Sequence, residues 1–146
     1  IEKNEVESKV IDLVGKKVLL VEDNELNREI AKDFLEEKGI VVEEASDGQF
    51  AVDKVKENVN SPDSHIYDAI FMDIQMPTMN GYEAAKAIRE IPTQGKIRIP
   101  IIAMTANAFE EDRNKAFEAG MDEHISKPIN IDTLFTTLKK VLKKNE

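Results

Sequence analysis

Cysteine is absent from the 146 residues, which excludes disulfides and thiolate metal sites outright. Histidine is scarce, with only His65 and His124 present, and that argues against a zinc site built from several imidazoles. Cationic residues are in deficit: 20 Lys and Arg against 29 Asp and Glu leave a net charge of -9. Nucleic acid is therefore not an expected partner, because phosphate contacts need clustered cations. The lysines that do cluster, Lys139, Lys140, Lys143 and Lys144, read as a solvated last helical turn matched to the helix dipole. No aromatic side chain interleaves them. Long apolar runs are missing as well. The longest, Val18-Leu19-Leu20-Val21 and Ile101-Ile102-Ala103-Met104, fall far short of the ~20 residues of a membrane span. Direct membrane contact is not expected, and the expected compartment is the cytoplasm.

What is present fits one globular domain. A chain of this length buries roughly 68–70% of its unfolded surface, leaving no room for a second core. Hydrophobic residues make up 41% and charged residues 34%, a soluble, folded balance. Residues 1–16 are highly charged, with only Val10, Ile11, Leu13 and Val14 apolar near their end, and read as a linker or the end of a preceding segment. The domain is expected at 17–146. Because the sequence begins at Ile1 without a methionine, we expect a piece excised from a longer protein.

From Lys17 onward, apolar runs and helical stripes alternate. The runs fall at 18–21, 69–72 and 99–104, with weaker ones at 40–45 and 124–126. Continuous rather than alternating apolarity marks strands buried on both faces, as in parallel sheets. Between them lie stripes with helical spacing: Leu26, Ile30, Ala31, Phe34 and Leu35; then Ala51, Val52, Val55 and Val59; then Tyr82, Ala85 and Ile88. Phe109, Ala116 and Phe117 make a fourth, and Ile131, Leu134, Phe135, Leu138, Val141 and Leu142 a fifth. Gly39 and Gly120 stand where helices should end, Asp47 and Asn130 where helices could be capped. Strict strand–helix alternation predicts an α/β fold, a doubly wound five-stranded parallel sheet with helices on both faces.

The polar residues that follow the strands carry the chemistry. Glu22 and Asp23 follow the first, Asp73 the third, Thr105 the fourth and Lys127 the fifth. Ligands of open α/β sheets bind beyond the carboxyl ends of the strands, where strand order reverses. In the order 2-1-3-4-5 that crevice lies between strands one and three. Three converging carboxylates repel one another unless a cation intervenes, and an all-oxygen ligand set suits a hard ion such as Mg2+, with Mn2+ a substitute. A carboxylate can also act as a nucleophile and form an aspartyl phosphate. For phosphoryl transfer the protein mainly positions and neutralises charge; Lys127 would supply a cation and Thr105 a neutral donor.

The runs Val18-Leu-Leu-Val-Glu-Asp-Asn24, Phe71-Met-Asp-Ile-Gln-Met-Pro77 with Asn80-Gly81, Ile101-Ile-Ala-Met-Thr-Ala106 and Ser126-Lys-Pro128 resemble receiver domains of two-component response regulators. The resemblance covers roughly residues 17–142 and implies a flavodoxin-like fold. It implies that Asp73 accepts a phosphoryl group, that Glu22, Asp23, Asp73 and the backbone carbonyl of Gln75 surround the metal, and that Lys127 bridges the phosphoryl group. Thr105 would be the switch hydroxyl. Gln75 and Asn107 would tune the lifetime of the phosphorylated form, and the Lys127–Pro128 peptide would be cis. Asn24-Glu-Leu-Asn27 and Gly120-Met-Asp-Glu-His-Ile-Ser-Lys-Pro128 are similar to receivers fused to hybrid sensor kinases. His124 departs from the Tyr or Phe that many receivers carry at the second switch position. The implied partners are a histidine kinase dimerisation domain or a histidine-containing phosphotransfer domain, and the isolated domain is expected to be monomeric. The implied activity is that of a signalling module which phosphorylates and slowly dephosphorylates itself. A haloacid-dehalogenase-like phosphohydrolase also places a nucleophilic Asp after a strand, with a second acid two residues later; here that position is Gln75. A degenerate receiver acting as a constitutive binding module is the third reading, opposed by the complete set of acids, Thr105 and Lys127.

Overall fold

The computed structural model describes residues 12–61, 65–93, 98–106 and 110–144. Five strands, β1 (Lys17–Val21), β2 (Val41–Ala45), β3 (Ala69–Asp73), β4 (Ile101–Thr105) and β5 (Glu123–Ser126), form one sheet in the order β2-β1-β3-β4-β5. Every pairing is parallel. Five helices alternate with them: α1 (Glu25–Glu37), α2 (Gly48–Asn60), α3 (Gly81–Arg89), α4 (Glu110–Glu118) and α5 (Ile131–Lys144). This is the doubly wound arrangement expected from the alternation, and the flavodoxin-like fold that the resemblance implies.

Successive strand residues point to opposite faces, so one run feeds two cores. Leu19, Val21, Ile70, Met72, Ile101 and Ala103 pack against Val52 and Val55 of α2, Ala84 and Ile88 of α3, and Ala116 of α4. Val18, Leu20, Phe71, Ile102 and Met104 pack against Ala31 and Leu35 of α1 and Leu134 and Leu138 of α5. The central strands β3 and β4 are buried at every residue, which is why their sequences are apolar up to their last residues, Asp73 and Thr105.

The edge strand β2 is weaker in sequence because Glu43 and Glu44 occupy its middle, and both are paired. Glu43 meets Lys17 at 3.1 Å and accepts from the Tyr67 hydroxyl at 2.5 Å. Glu44 meets Arg28 at 3.2 Å and Lys32 at 3.3 Å, both from α1. Helices α1 and α4 each end in a Schellman pair. Gly39 (φ 82°) donates to Glu36 and Ile40 to Leu35; Gly120 (φ 96°) donates to Phe117 and Met121 to Ala116. Asp47 caps α2, and the Asn130 side chain accepts from the amides of Asp132 and Thr133.

Several stripe residues behave otherwise than the spacing suggests. Leu26 and Ile30 are 65% and 43% exposed on α1, and Phe117 is exposed on α4. Phe109 lies outside the described residues. Leu13, in the segment read as a linker, packs into the α1/α5 core, while Gly15 donates to the Gly39 carbonyl and Val41 to that of Lys16. Among the described residues no helix is long and apolar enough to cross a membrane.

Candidate functional site

The carboxyl edge of the sheet gathers Glu22, Asp23, Asp73, Thr105 and Lys127. Asp73 is the last residue of β3 and only 1% exposed. Glu22 directly follows β1, is buried, and is tied to the end of β2 by its amide, which donates to the Ala45 carbonyl at 3.1 Å. Asp23, next in sequence, is exposed. One carboxylate oxygen from each of Glu22, Asp23 and Asp73 lies within 4.8 Å of the others. Lys127, held just beyond β5 where its amide donates to the Thr105 carbonyl, sends Nζ to Asp73 Oδ1 at 3.0 Å and to Glu22 Oε2 at 3.1 Å. The peptide between Lys127 and Pro128 is cis, as the resemblance implies.

The two oxygens of Asp73 are not equivalent. Oδ1 accepts from Lys127 and from the Gln75 amide at 3.2 Å. Oδ2 is buried and has no hydrogen-bond partner among the described residues. Asp23, an acceptor when ionised, offers it no donor. Burial pushes the Asp73 carboxyl up to about 7, against the downward pull of Lys127, and Glu22 and Asp23 add to the rise. In spite of burial, Asp73 and Glu22 hold the Lys127 ammonium above its ordinary value. Three converging carboxylates, all oxygen ligands, fit a hard divalent cation better than any neutral occupant.

The loop after Asp73 is tightly folded. Met79 donates to the Pro77 carbonyl at 2.8 Å across Thr78, whose φ of 70° is the left-handed value that β-branched residues avoid. Gly81 opens α3 directly against this turn: a Cβ there would stand 2.4 Å from the Asp73 carbonyl oxygen and 2.7 Å from Ile74 Cα. Asn80 caps α3 in a reciprocal box with Glu83.

Thr105 ends β4, buried, one strand away from Asp73. Gln75 is an exposed loop residue whose amide reaches Asp73, and Asn107 lies outside the described residues. His124 is not gathered with the acids. It sits half-buried in β5 opposite Ala103, and its Nε2 accepts from Arg113 Nε of α4 at 3.0 Å. Burial lowers its pKa below the ordinary histidine value, and Arg113 adds to the shift. Arg28 and Arg113 both touch the site or its surroundings, and neither stands out in the sequence. For Arg28 the available signal was its place one helical turn after Asn24, beneath the acidic loop.

Comparison with known proteins agrees with this geometry. The family model for the response regulator receiver domain matches residues 18–139. Hybrid signal transduction histidine kinase I of Dictyostelium discoideum is 42% identical over 126 residues, covering 86% of this chain and 7% of that protein. The receiver domain of a sensor histidine kinase from Pseudomonas aeruginosa, solved with a magnesium ion coordinated in its active-site cleft, superposes with a TM-score of 0.75 at 35% identity. That alignment covers 88% of this chain and 98% of the other. The receiver domain of the Saccharomyces cerevisiae response regulator Ssk1, solved with the histidine phosphotransfer protein Ypd1, superposes with a TM-score of 0.78 at 32% identity, covering 88% and 89%. This chain belongs to the response regulator receiver domain family, a family of signalling domains. It spans only a small fraction of the hybrid kinases it matches.

Proposed function

We propose that this receiver takes a phosphoryl group from a phosphohistidine onto Asp73 Oδ2 and relays it or changes its docking surface. The observation that carries the reading is the inequality of the two Asp73 oxygens: Oδ1 is held by Lys127 and the Gln75 backbone amide, and Oδ2 has no partner among the described residues and faces further acids. In the reaction the Oδ2–P bond forms as the P–N bond of the donor breaks, and the freed imidazole nitrogen keeps the electron pair. Lys127, already on Asp73, neutralises the added charge, and Thr105 donates its hydroxyl to the phosphoryl oxygens. Magnesium, with manganese as substitute, is held by Glu22, Asp23, Asp73 and the Gln75 carbonyl and supplies the remaining positive charge.

The donor is a protein. Exposed Ile30 on α1, one turn after exposed Leu26, lines a cleft of about 160 Å³ together with Ala31, Met104 and Pro128, with Glu22 and Lys127 at its polar end. An apolar surface next to the nucleophile suits the helix of a phosphotransfer or kinase dimerisation domain better than a small ester. A phosphohydrolase is disfavoured because Gln75 cannot act as the second acid. We place the receiver at 17–146, with the turn from Leu13 to Lys16 as a packed lead-in, in the cytoplasmic part of a hybrid kinase or relay protein and monomeric by itself. Gln75 and Asn107 set the lifetime of the phosphorylated form, and Thr105 and His124 the switch.

Mass spectrometry after incubation with acetyl phosphate tests the assignment. Label is expected on Asp73 only when magnesium or manganese is present, and none in Asp73→Asn. Label on another residue, or on Asp73 without metal, overturns the reading.

A further inference from the structure

The acids that flank Asp73 sit on a turn, residues 22–24, that has to be held open against its own charge. Two contacts hold it from β2 and from the cap of α1: the Glu22 amide donates to the Ala45 carbonyl, and the Asn24 side chain accepts from the Asn27 amide at 2.9 Å. A third has no counterpart in the proposed chemistry. Arg28, in the first turn of α1, sends Nη1 to the backbone carbonyl of Glu22 at 2.8 Å. Its Nε is fixed at 3.2 Å on Glu44 of β2, and the other oxygen of Glu44 is held by Lys32. The Arg28 side chain is only 18% exposed. We infer that Arg28, clamped between Glu44 and the Glu22 carbonyl, is a positioning residue that presets the Glu22–Asp23 turn for the divalent cation. The inference rests on the proposed reading of Glu22, Asp23 and Asp73 as the metal-binding set.

A guanidinium near a magnesium site repels the ion, so by Coulomb's law alone its presence should weaken binding. Glu44 offsets that charge, and the planar fork of Arg spans a carboxylate and a carbonyl at once, which a single ammonium cannot do with the same geometry. What remains is orientation: with the Glu22 carbonyl fixed, the peptide leading to Asp23 keeps one direction. A site with few protein ligands depends on that preorganisation, because ordering the turn otherwise subtracts from binding.

Electrostatics and positioning therefore predict opposite outcomes for Arg28→Ala. If Arg28 acts only as a charge, its removal tightens magnesium binding. If it positions the turn, removal weakens binding. We expect the magnesium dissociation constant of the whole chain, measured by calorimetry, to rise about five- to tenfold in Arg28→Ala, with Arg28→Lys in between. Amide hydrogen exchange at Asp23 and Asn24, followed by NMR in metal-free protein, should speed up in step. Exchange at β3 amides should stay at wild-type rates and so report that the fold is intact. An unchanged or smaller dissociation constant in Arg28→Ala, or wild-type exchange at Asp23 and Asn24, overturns the inference. Exchange accelerated equally throughout β3 does so too, since the effect would then be global. Wild-type protein that binds no magnesium would instead overturn the reading of the acids, so the two failures are distinguishable.

Discussion

Asp73 shows at the scale of one residue how a functional carboxylate is costly to its own fold. Its carboxyl titrates near 7 in the folded chain against 3.8 as the reference value, chiefly through burial. The group therefore supports folding fully below about pH 4, and that support is lost as pH rises through about 7. Asp73→Asn removes a buried charge and keeps the volume, while Lys127 retains its contact with Glu22. Because the folded chain holds the Asp73 carboxyl up to about 7, its charged form opposes folding at pH 8, and in metal-free buffer the variant should be more stable than wild type by about 1–3 kcal/mol. The gain should shrink towards pH 5, where the wild-type carboxyl is largely protonated. Urea melts at both pH values check this. Added magnesium should close the gap at pH 8, because it binds the native wild-type site and stabilises it by mass action. A variant less stable than wild type at pH 8 without metal would mean that the Lys127–Asp73 pair outweighs the burial of the charge.

Among the elements, the loop from Asp73 to Gly81 and the start of α3 have the least room for change. A Cβ on Gly81 would meet backbone at 2.4 Å, where no side chain can yield. Gly81→Ala should cost about 1–3 kcal/mol or more, and by displacing the Asp73 carbonyl it should slow phospholabelling as well. Asn80→Ala, next to it, loses only the capping box. It should cost about 1 kcal/mol and leave the labelling rate near wild type. Urea midpoints and labelling rates of the two variants separate packing against the nucleophile from helix capping. The need for glycine at 81 was visible in the sequence only as part of a family motif; the clash that enforces it appears once β3 and α3 are packed. The central strands were legible because both their faces are buried, and Asp73, Thr105 and Lys127 because strand ends in such folds point to one crevice. The outward turn of Leu26 and Ile30 was not legible, since helical spacing records an apolar face without saying what covers it. Nor were the reaches of Arg28 to Glu22 and of Arg113 to His124. Long flexible cations bridge elements at distances that spacing does not encode.

Across the whole molecule the proposed switch has to carry a change at the phosphorylation site out to α4 and β5, and its energy is limited. A hydrogen bond from Thr105 to a charged phosphoryl group contributes about 1.5–3 kcal/mol, and freeing His124 from the charged Arg113 donor offsets a comparable amount. Driving a two-state element from 1:99 to 99:1 takes roughly 5.5 kcal/mol. The hydroxyl alone falls short, so either the Lys127 contact and repacking around His124 supply the remainder, or the resting form already samples the inward position of His124 and phosphorylation shifts a population. The ring of His124 reports this directly, because His65 is the only other histidine in the chain. In the resting form burial and Arg113 hold its pKa below the ordinary value, against Glu123, with Lys140 adding to the depression. Its Nε2 is an acceptor, so the imidazole is neutral while the Arg113 bond lasts. Arg113→Ala should therefore raise the His124 pKa in the resting protein. Beryllofluoride with magnesium, standing in for the phosphoryl group, should lower it further than in the resting wild type, since an apolar slot disfavours the imidazolium more than a half-exposed strand does. NMR titration of the two rings from pH 4.5 to 8 measures both shifts, with His65 as the internal reference. If beryllofluoride leaves the His124 curve where it was, His124 stays outward in the activated form and the output must leave the domain by another face.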